Sequence, residues 1–291
     1  MKNLKKQIVY VLIMALLLTG VPNTKVQAQK AIPKTKAHAY YMIDAGTGEK
    51  ILSKNANKKI YPASTVKLLT ALVALEHADE SMEIKYTKKL SKGIPSDASA
   101  LNLRKGRTYN VNQYLHMLLM VSDAVSATVL AKGIAGSQEK FVEWMNEKAK
   151  ALGMNHSSFD NPIGLDKGSG YKKTYTTAAD FIKISKAAME NETIREIVAK
   201  KKYRVRPIGV KKSFVIKNTN AFYSTYKKMV KGVEYEIIGS KTGTTRAAGY
   251  ALVATARDEN GREVICAFFG KATHKRLYKD VKKLFNYAYA Q

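Results

Sequence analysis

The sequence predicts an α/β fold, specifically an α+β sandwich, in which strands from both ends of the chain form one antiparallel sheet flanked by helices. Near the N-terminus, residues 39–44 and 50–53 flank Ala45-Gly46-Thr47-Gly48, a pattern typical of a β-hairpin. Near the C-terminus, two further strands are predicted at residues 249–256 and 263–269. The helical patterns lie between these two pairs of strands, so the chain ends must meet to complete the sheet.

The first residues have the features of a secretory signal peptide. Three lysines precede an apolar stretch at residues 8–18, and Val26-Gln27-Ala28 has the small-x-small pattern of a cleavage site. Residues 1–28 are therefore predicted to be removed, which leaves 29–291 as the exported domain. The apolar stretch is short for a membrane span, and an uncleaved anchor is the alternative.

Helical periodicity runs almost without a break through the middle of the chain, where an all-helical subdomain is predicted between roughly residues 78 and 190. The predicted helices cover residues 112–121, 123–133, 138–152 and 176–189. Basic segments of alternating pattern follow at 203–210 and 212–217, and a last helix is predicted over 274–289.

The charge of the chain restricts its partners. A net charge of +27 suits nucleic acid, an anionic membrane surface or acidic cell-wall polymers. Export removes nucleic acid from this set, and no Arg-rich or aromatic-interleaved binding module is present. The single cysteine, Cys266, excludes an internal disulfide, and its apolar neighbours indicate a buried, inert thiol.

One Ser-x-x-Lys segment is set apart by its surroundings. Pro62 suits the start of a helix, and the residues at 68–75 are almost entirely apolar, which predicts a helix buried on nearly every side. Ser64 and Lys67 are three residues apart and share a face of that helix. Burial and the positive end of the helix dipole both lower a lysine pKa, so Lys67 is a candidate base for a nucleophilic Ser64.

The motif alone is weak, because a lysine-rich chain produces it by chance. Ser137 with Lys140 and Ser224 with Lys227 also match, but their charged or polar neighbours indicate a solvated surface. Taken alone, Ser64 and Lys67 fit equally well a helix-start serine and a lysine whose amine reaches solvent.

Two further segments supply partners for Ser64. Lys241-Thr242-Gly243-Thr244 offers a cation, hydroxyls and a glycine that permits close backbone approach, which together suit a carboxylate; the alternative is a surface turn. Ser122 lies where one predicted helix gives way to the next and is a candidate proton relay. Taken alone, Ser122 is better explained as the N-cap of the helix that begins at Asp123.

The order Ser-x-x-Lys, Ser-x-x, Lys-Thr-Gly resembles that of the penicillin-recognising serine enzymes. The sequence is most similar to the D-alanyl-D-alanine carboxypeptidases, the low-molecular-mass penicillin-binding proteins, from Ala39 to the C-terminus. The segments that carry the resemblance are Tyr61-Pro62-Ala63-Ser64, Met145-Asn146-Glu147-Lys148-Ala149, Leu152-Gly153-Met154, Asn161-Pro162-Ile163-Gly164-Leu165-Asp166, Lys241-Thr242-Gly243 and Ala248-Gly249-Tyr250. The resemblance implies a β-lactamase/transpeptidase-like fold.

The resemblance also implies roles. Ser64 would attack the carbonyl between the two terminal D-alanines of a peptidoglycan stem peptide, and Lys67 would take its proton. Ser122 would deliver a proton to the departing D-alanine, while Lys241 and Thr242, in a Lys-Thr-Gly motif completed by Gly243, would hold the terminal carboxylate. The backbone N–H groups of Ser64 and Thr244 would form the oxyanion hole.

The same resemblance implies a cell-wall hydrolase that needs neither a metal nor an organic cofactor and that β-lactam antibiotics inhibit. Its substrate would be the peptidoglycan stem peptide, and its basic surface would have partners in anionic cell-envelope polymers or the membrane surface. The expected location is outside the cytoplasm, in the cell envelope or secreted.

One position departs from the family pattern. The third residue of the middle motif is an asparagine in the family and Ala124 here. A methyl group makes neither of the asparagine's contacts, so Asp123 or a water would have to substitute for it. This departure and the high charge motivate one alternative, a catalytically weakened wall-binding relative. A β-lactamase of the same fold is another alternative, and it ranks lower because no glutamate is placed for rapid penicillin hydrolysis.

Overall fold

The computed structural model describes residues 31–95, 98–166, 170–171, 173–224, 227–230, 233–270 and 273–290. Pro33–Gln291 form one compact unit. The predicted signal peptide at residues 1–28 lies outside the described residues. Within the described ranges, no helix is both long and apolar enough to cross a membrane.

The secondary structure alternates between strands and helices as follows. The strands are β1 (Ala37–Asp44), β2 (Lys50–Lys54), β3 (Glu83–Lys85), β4 (Thr108–Asn110), β5 (Lys202–Val205), β6 (Phe214–Lys217), β7 (Lys227–Val230), β8 (Val233–Thr245), β9 (Gly249–Asp258) and β10 (Glu263–Gly270). The α-helices are α1 (Lys67–His77), α2 (Val111–Met120), α3 (Ala124–Ala135), α4 (Gln138–Ala151), α5 (Ala178–Glu190), α6 (Glu192–Ala199) and α7 (His274–Tyr289).

The main sheet joins the two ends of the chain, as predicted. Its strand order is β2-β1-β10-β9-β8-β7, and every neighbouring pair is antiparallel. The N-terminal β1 pairs with the C-terminal β10, for example Met42 with Cys266. The predicted hairpin of β1 and β2 is confirmed. The α+β prediction is therefore correct in its topology.

Both faces of this sheet are buried, which explains the unbroken apolar run in β10. Cys266 and Phe268 pack under α7, whereas Ile265, Ala267 and Phe269 contact the helical core on the opposite face. A strand covered on both sides has apolar residues at every position instead of an alternating pattern. Cys266 is fully buried, and burial raises the pKa of its thiol, in agreement with an inert side chain.

Helix α1 lies at the centre of the helical side. All residues from Lys67 to Ala74 are buried, and the helix packs against α2, α3, α4 and α5. The apolar stretch at 68–75 thus forms the predicted buried helix. Whether residues 78–190 constitute a separate subdomain stays a prediction.

The structure adds elements that the sequence patterns did not indicate. Strands β3 and β4 form a small sheet, and α6 follows α5 after a cap at Asn191. The alternating segments at 203–210 and 212–217 form strands in part, as the antiparallel pair β5 and β6. The larger difference is β8, a strand of 13 residues that includes Lys241 to Thr245. The sequence placed these residues before a strand, because lysine, threonine and glycine in succession show no apolar alternation.

Candidate active site

The nucleophile candidate lies on a strained turn. Residues Ala63–Val66 form one turn of 3-10 helix that leads into α1, and Thr65 Oγ1 donates to the Pro62 carbonyl at 2.6 Å. Ala63 has a φ of +50°, a left-handed conformation that is costly for a residue with a side chain. Such strain persists only where the surrounding structure enforces it, and it is concentrated at functional sites.

Two glycines from other segments pack closely against this turn. Gly164 has a φ of +91°, and a Cβ there would lie 2.0 Å from the Ala63 carbonyl oxygen. On β8, a Cβ on Gly243 would lie 2.7 Å from the Ser64 backbone nitrogen. Any side chain at either position would push the Ser64 turn away, so both glycines are needed for close backbone packing.

Ser64 and Lys67 are in hydrogen-bond contact. Lys67 Nζ lies 2.9 Å from Ser64 Oγ and donates to the Ile163 carbonyl at 2.8 Å. The lysine is only 1% exposed, and this burial lowers its pKa to about 7, although the charge of Asp123 opposes the shift. Near neutral pH a substantial fraction of Lys67 is therefore a neutral amine able to accept the proton of a serine.

A loop organised by Asn161 positions the Lys67 amine. The buried Asn161 Oδ1 accepts from the backbone N–H groups of Ile163, Gly164 and Leu165 at 2.8–3.2 Å. This arrangement directs the Ile163 carbonyl at Lys67, and the preceding Pro162 carbonyl accepts from Thr70 Oγ1 at 2.7 Å. Sequence reasoning gave Asn161 no role, although the segment was part of the family resemblance.

Ser122 is not a helix cap. Helix α3 begins at Ala124, and its cap is Asp123, whose side chain accepts from the Ser126 N–H at 2.7 Å. Ser122 precedes the cap with a φ of +60°. The alternative that Ser122 caps the helix is therefore wrong, because the cap is the next residue. The Ser122 hydroxyl instead accepts a hydrogen bond from Lys241 Nζ at 3.0 Å.

Because side chains alternate between the two faces of a strand, every second residue at the end of β8 lies on the helical side of the sheet. Lys241 contacts Ser122, Gly243 packs on the Ser64 turn, and Thr245 Oγ1 donates to Asp166. Lys241 is 2% exposed, and burial together with the charge of Lys67 holds the pKa of its ammonium well below its usual range. The alternative of a surface turn at Lys241 is therefore wrong.

The two threonines of the motif differ from Lys241 in exposure. Thr242 is partly exposed and Thr244 is exposed, so both are accessible to a ligand. In the described part of the chain, β7 pairs with β8 only from Val233 to Glu236. The outer edge of β8 beyond that point, including the Lys-Thr-Gly segment, offers no described strand partner and suits an extended peptide.

Asp123 does not take the place of the family asparagine. Its Oδ1 accepts from the Leu101 N–H at 2.7 Å, and its Oδ2 accepts from both the N–H and the hydroxyl of Ser126. The carboxylate therefore fixes the start of α3 and reaches Lys67 through its charge only. Ala124 is fully buried, and its methyl group provides no hydrogen bond.

One of the other Ser-x-x-Lys matches has an ordinary structural explanation. Ser137 caps α4 by accepting from the Lys140 N–H at 3.1 Å, and the exposed Lys140 pairs with Glu143. The side chains of Ser224 and Lys227 lie outside the described residues.

A serine in contact with a buried lysine of lowered pKa, together with a second serine bound by a lysine of the sheet, is the arrangement of penicillin-recognising serine enzymes. Solved structures agree with this class. The crystal structure of a DD-transpeptidase from a Streptomyces strain superposes with a TM-score of 0.81 at 28% identity, over 90% of this chain and all of that one. A D-alanyl-D-alanine carboxypeptidase from Mycobacterium tuberculosis gives 0.79 at 28% identity, over 91% and 95% of the two chains. The fold is therefore the transpeptidase/β-lactamase fold.

The sequence narrows this class further. The family model for D-alanyl-D-alanine carboxypeptidase, peptidase family S11, matches residues 24–273, and the chain belongs to this family. A D-alanyl-D-alanine carboxypeptidase from Bacillus subtilis is 30% identical over 294 residues, which cover 99% of this chain and 72% of that protein. These findings favour a carboxypeptidase over the β-lactamase and the weakened-relative alternatives.

Proposed function

We propose that the protein is an exported serine-type carboxypeptidase that removes the terminal D-alanine from peptidoglycan stem peptides through an acyl-enzyme on Ser64. The observation that carries this proposal is the 2.9 Å contact between Ser64 Oγ and Lys67 Nζ, in which the buried amine has a pKa of about 7. The family membership supplies the substrate class, a peptide that ends in D-alanyl-D-alanine.

In the acylation step, neutral Lys67 takes the hydroxyl proton of Ser64 while Oγ attacks the carbonyl carbon between the two D-alanines. The negative charge that develops on the carbonyl oxygen is stabilised by the backbone N–H groups of Ser64 and Thr244. The strained turn at Ala63 and its contacts with Gly164 and Gly243 hold the Ser64 N–H in place before the substrate arrives.

Departure of D-alanine needs a proton on its amine nitrogen. Ser122 supplies it when the C–N bond breaks, and the proton that Lys67 took from Ser64 restores the hydroxyl. Lys241 lies 3.0 Å from Ser122, with Thr242 beside it, and its amine is placed to bind the terminal carboxylate. The negative charge of that carboxylate favours the ammonium form of Lys241 when the substrate is bound. Water then attacks the ester, Lys67 accepts the proton of the water, and the shortened peptide leaves while Ser64 is regenerated.

A second candidate reaction uses the same acyl-enzyme. The Streptomyces relative is a DD-transpeptidase, which motivates transfer of the acyl group to an amine in place of water. In that reaction the amine nitrogen attacks the ester carbonyl and gives its proton to Lys67. The bond between the carbonyl carbon and Ser64 Oγ then breaks, Lys67 returns the proton to Oγ, and the product amide leaves. Added glycine distinguishes the two reactions, since only a transpeptidase converts the acyl group into a glycyl amide.

The decisive experiment for the proposed function measures D-alanine released from a pentapeptide that ends in D-alanyl-D-alanine. We expect release by the native protein and none by Ser64→Ala. Penicillin binding is followed in parallel: a lasting adduct is expected, whereas an adduct lost within seconds would indicate a β-lactamase. Labelling without D-alanine release or amide formation would refute the peptidase activity.

Export and surface binding are also part of the proposal. Residues 1–28 supply the signal peptide. Their removal takes away four lysines and no acidic residue, so the net charge falls from +27 to +23, which still attracts anionic cell-envelope polymers or membrane surfaces rather than nucleic acid. N-terminal sequencing of the protein outside the cytoplasm should begin at Gln29. Retention on anionic wall polymer should fall steeply between low and physiological salt, because screening removes long-range attraction; salt-independent retention would refute this part.

A further inference from the structure

We propose that a basic pocket at the end of β8 binds a carboxylate on one of the two residues that precede the D-alanyl-D-alanine unit, and this inference rests on the proposed function. The basic pocket, of about 270 Å³, is lined by Lys59, Tyr61 and Arg246, together with His38, Ile60 and Phe269. It would make the enzyme selective for acidic stem peptides. The selectivity comes from residues outside the three motifs.

The direction of the bound peptide follows from the site itself. The terminal carboxylate is placed at Lys241, and the scissile carbonyl must lie at Ser64, whose backbone nitrogen packs against Gly243. Between these points the peptide advances along β8 from Lys241 towards Gly243. The residues before the scissile bond must continue in the same direction, past Thr244 and towards Arg246.

The spacing along the strand matches this path. Arg246 is three residues beyond Gly243, which corresponds to about 10 Å in extended structure. The residue before the penultimate D-alanine has its Cα about 5 Å from the scissile carbonyl in an extended peptide, and its side chain covers the remaining distance. The pocket also adjoins the nucleophile, because Tyr61 lies three residues before Ser64 in the same segment.

The lining has one sign of charge. Lys59 and Arg246 are exposed cations, and none of the lining residues is acidic. The Lys59 amine lies 3.8 Å from the centroid of the Tyr175 ring. Within the described ranges, Arg246 has no ion-pair partner, so its guanidinium is available for a bidentate contact with a carboxylate.

The turn that carries Arg246 is held in place. Thr245 Oγ1 donates to the buried carboxylate of Asp166 and accepts from the Ala248 N–H at 3.0 Å. These bonds fix the residues on both sides of Arg246, and they engage the Asp166 carboxylate, which contacts this turn from the Asn161 loop. The cation is therefore presented on a rigid backbone, which reduces the entropy lost when a ligand binds.

The experiment compares three peptides that end in D-alanyl-D-alanine. The first has a preceding diacetyl-lysine without free charge, the second has a diamino acid with a free side-chain carboxylate, and the third has γ-linked D-glutamate before acetyl-lysine. For the native protein we expect kcat/KM about tenfold or more higher for at least one acidic peptide, a ratio in the range of one charged hydrogen bond. The acidic peptide with the higher kcat/KM shows which of the two preceding residues places its carboxylate in the pocket.

Arg246→Gln should remove the advantage and leave kcat/KM for the uncharged peptide unchanged. Lys59→Gln should reduce the advantage partly. The matched control is Arg257→Gln, an exposed arginine at the other end of the β8–β9 pair, which should leave all three peptides unaffected. Equal rates for the three peptides, or an equal loss for all of them in Arg246→Gln, would overturn the proposal.

Peptide binding separates this inference from the proposed function. In Ser64→Ala, calorimetry measures affinity without turnover, and the acidic peptide should bind about tenfold tighter than the uncharged one. The double variant Ser64→Ala/Arg246→Gln should bind both alike. If no peptide is hydrolysed but this difference in affinity is found, the pocket stands and the proposed reaction fails; if peptides are hydrolysed without a difference in affinity or rate, the pocket fails alone.

Discussion

Replacing Lys67 by methionine is expected to abolish acylation and to stabilise the folded domain, with a gain that depends on pH. Lys67 is 1% exposed, and burial lowers its pKa from 10.5 to about 7. The unfolded chain thus binds a proton more readily than the folded one between these two values. By linkage, the free-energy penalty of burying the Lys67 ammonium is present in full below pH 7, and it declines as the pH rises towards 10.5.

The magnitude follows from the two pKa values. A change from 10.5 to about 7 corresponds to about 5 kcal/mol at low pH, because each unit of pKa is worth about 1.4 kcal/mol. Removing the amine also leaves the Ile163 carbonyl without its partner, which costs roughly 1–3 kcal/mol at any pH. Lys67→Met should therefore be more stable than the native protein by about 2–4 kcal/mol at pH 6, and this advantage should shrink by about 3 kcal/mol at pH 9.

Urea denaturation of both proteins at pH 6 and pH 9 tests this reasoning, since the difference in unfolding free energy cancels the titrating groups that do not interact with Lys67. The exposed Lys150 offers a control, because Lys150→Met should show no such dependence on pH. If the stability advantage of Lys67→Met stayed constant or grew with pH, burial would not be lowering the pKa of Lys67.

Three other outcomes are expected. The rate of acylation by a fluorescent penicillin should rise about tenfold per pH unit below pH 7 and level off above it, as neutral Lys67 becomes dominant; a flat profile from pH 5 to 8 would contradict its role as base. Gly243→Ala should slow acylation by on the order of a hundredfold, because the added methyl displaces the Ser64 turn, whereas Gly46→Ala, at an ordinary contact distance, serves as the control without effect. Ala124→Asn should raise the rate of D-alanine release, and no increase would show that the missing amide is not what limits turnover.

The sequence was sufficient for the parts of the fold that depend on local periodicity. The apolar stretch after Ser64 predicted a buried α1, and α7 begins and ends at the predicted residues. The joining of both termini in one sheet followed from the positions of four strand patterns. In each case burial on one or more faces of the element requires apolar residues at regular positions, and this pattern is visible in the sequence.

The remaining features depend on contacts between distant segments. Lys241 lies in a strand because β8 pairs with β9 there, with Lys241 opposite Val253, and its amine reaches Ser122. No pattern within β8 predicts either contact. The carbonyl that holds Lys67 belongs to the Asn161 loop, 96 positions further along the chain. The sequence could not decide whether Ser122 or Asp123 caps α3, because serine and aspartate are both favoured at the N-cap position. The backbone conformation of the folded protein makes Asp123 the cap.

The central claim is that Ser64 is the nucleophile, and mapping the penicillin adduct tests it most directly. The protein is incubated with penicillin, digested and examined by mass spectrometry, with Ser64→Ala treated in the same way. We predict one penicilloyl group on the peptide that contains Ser64 and no adduct in Ser64→Ala. An adduct on Ser122 or Ser137, or labelling that persists in Ser64→Ala, would contradict the assignment of Ser64.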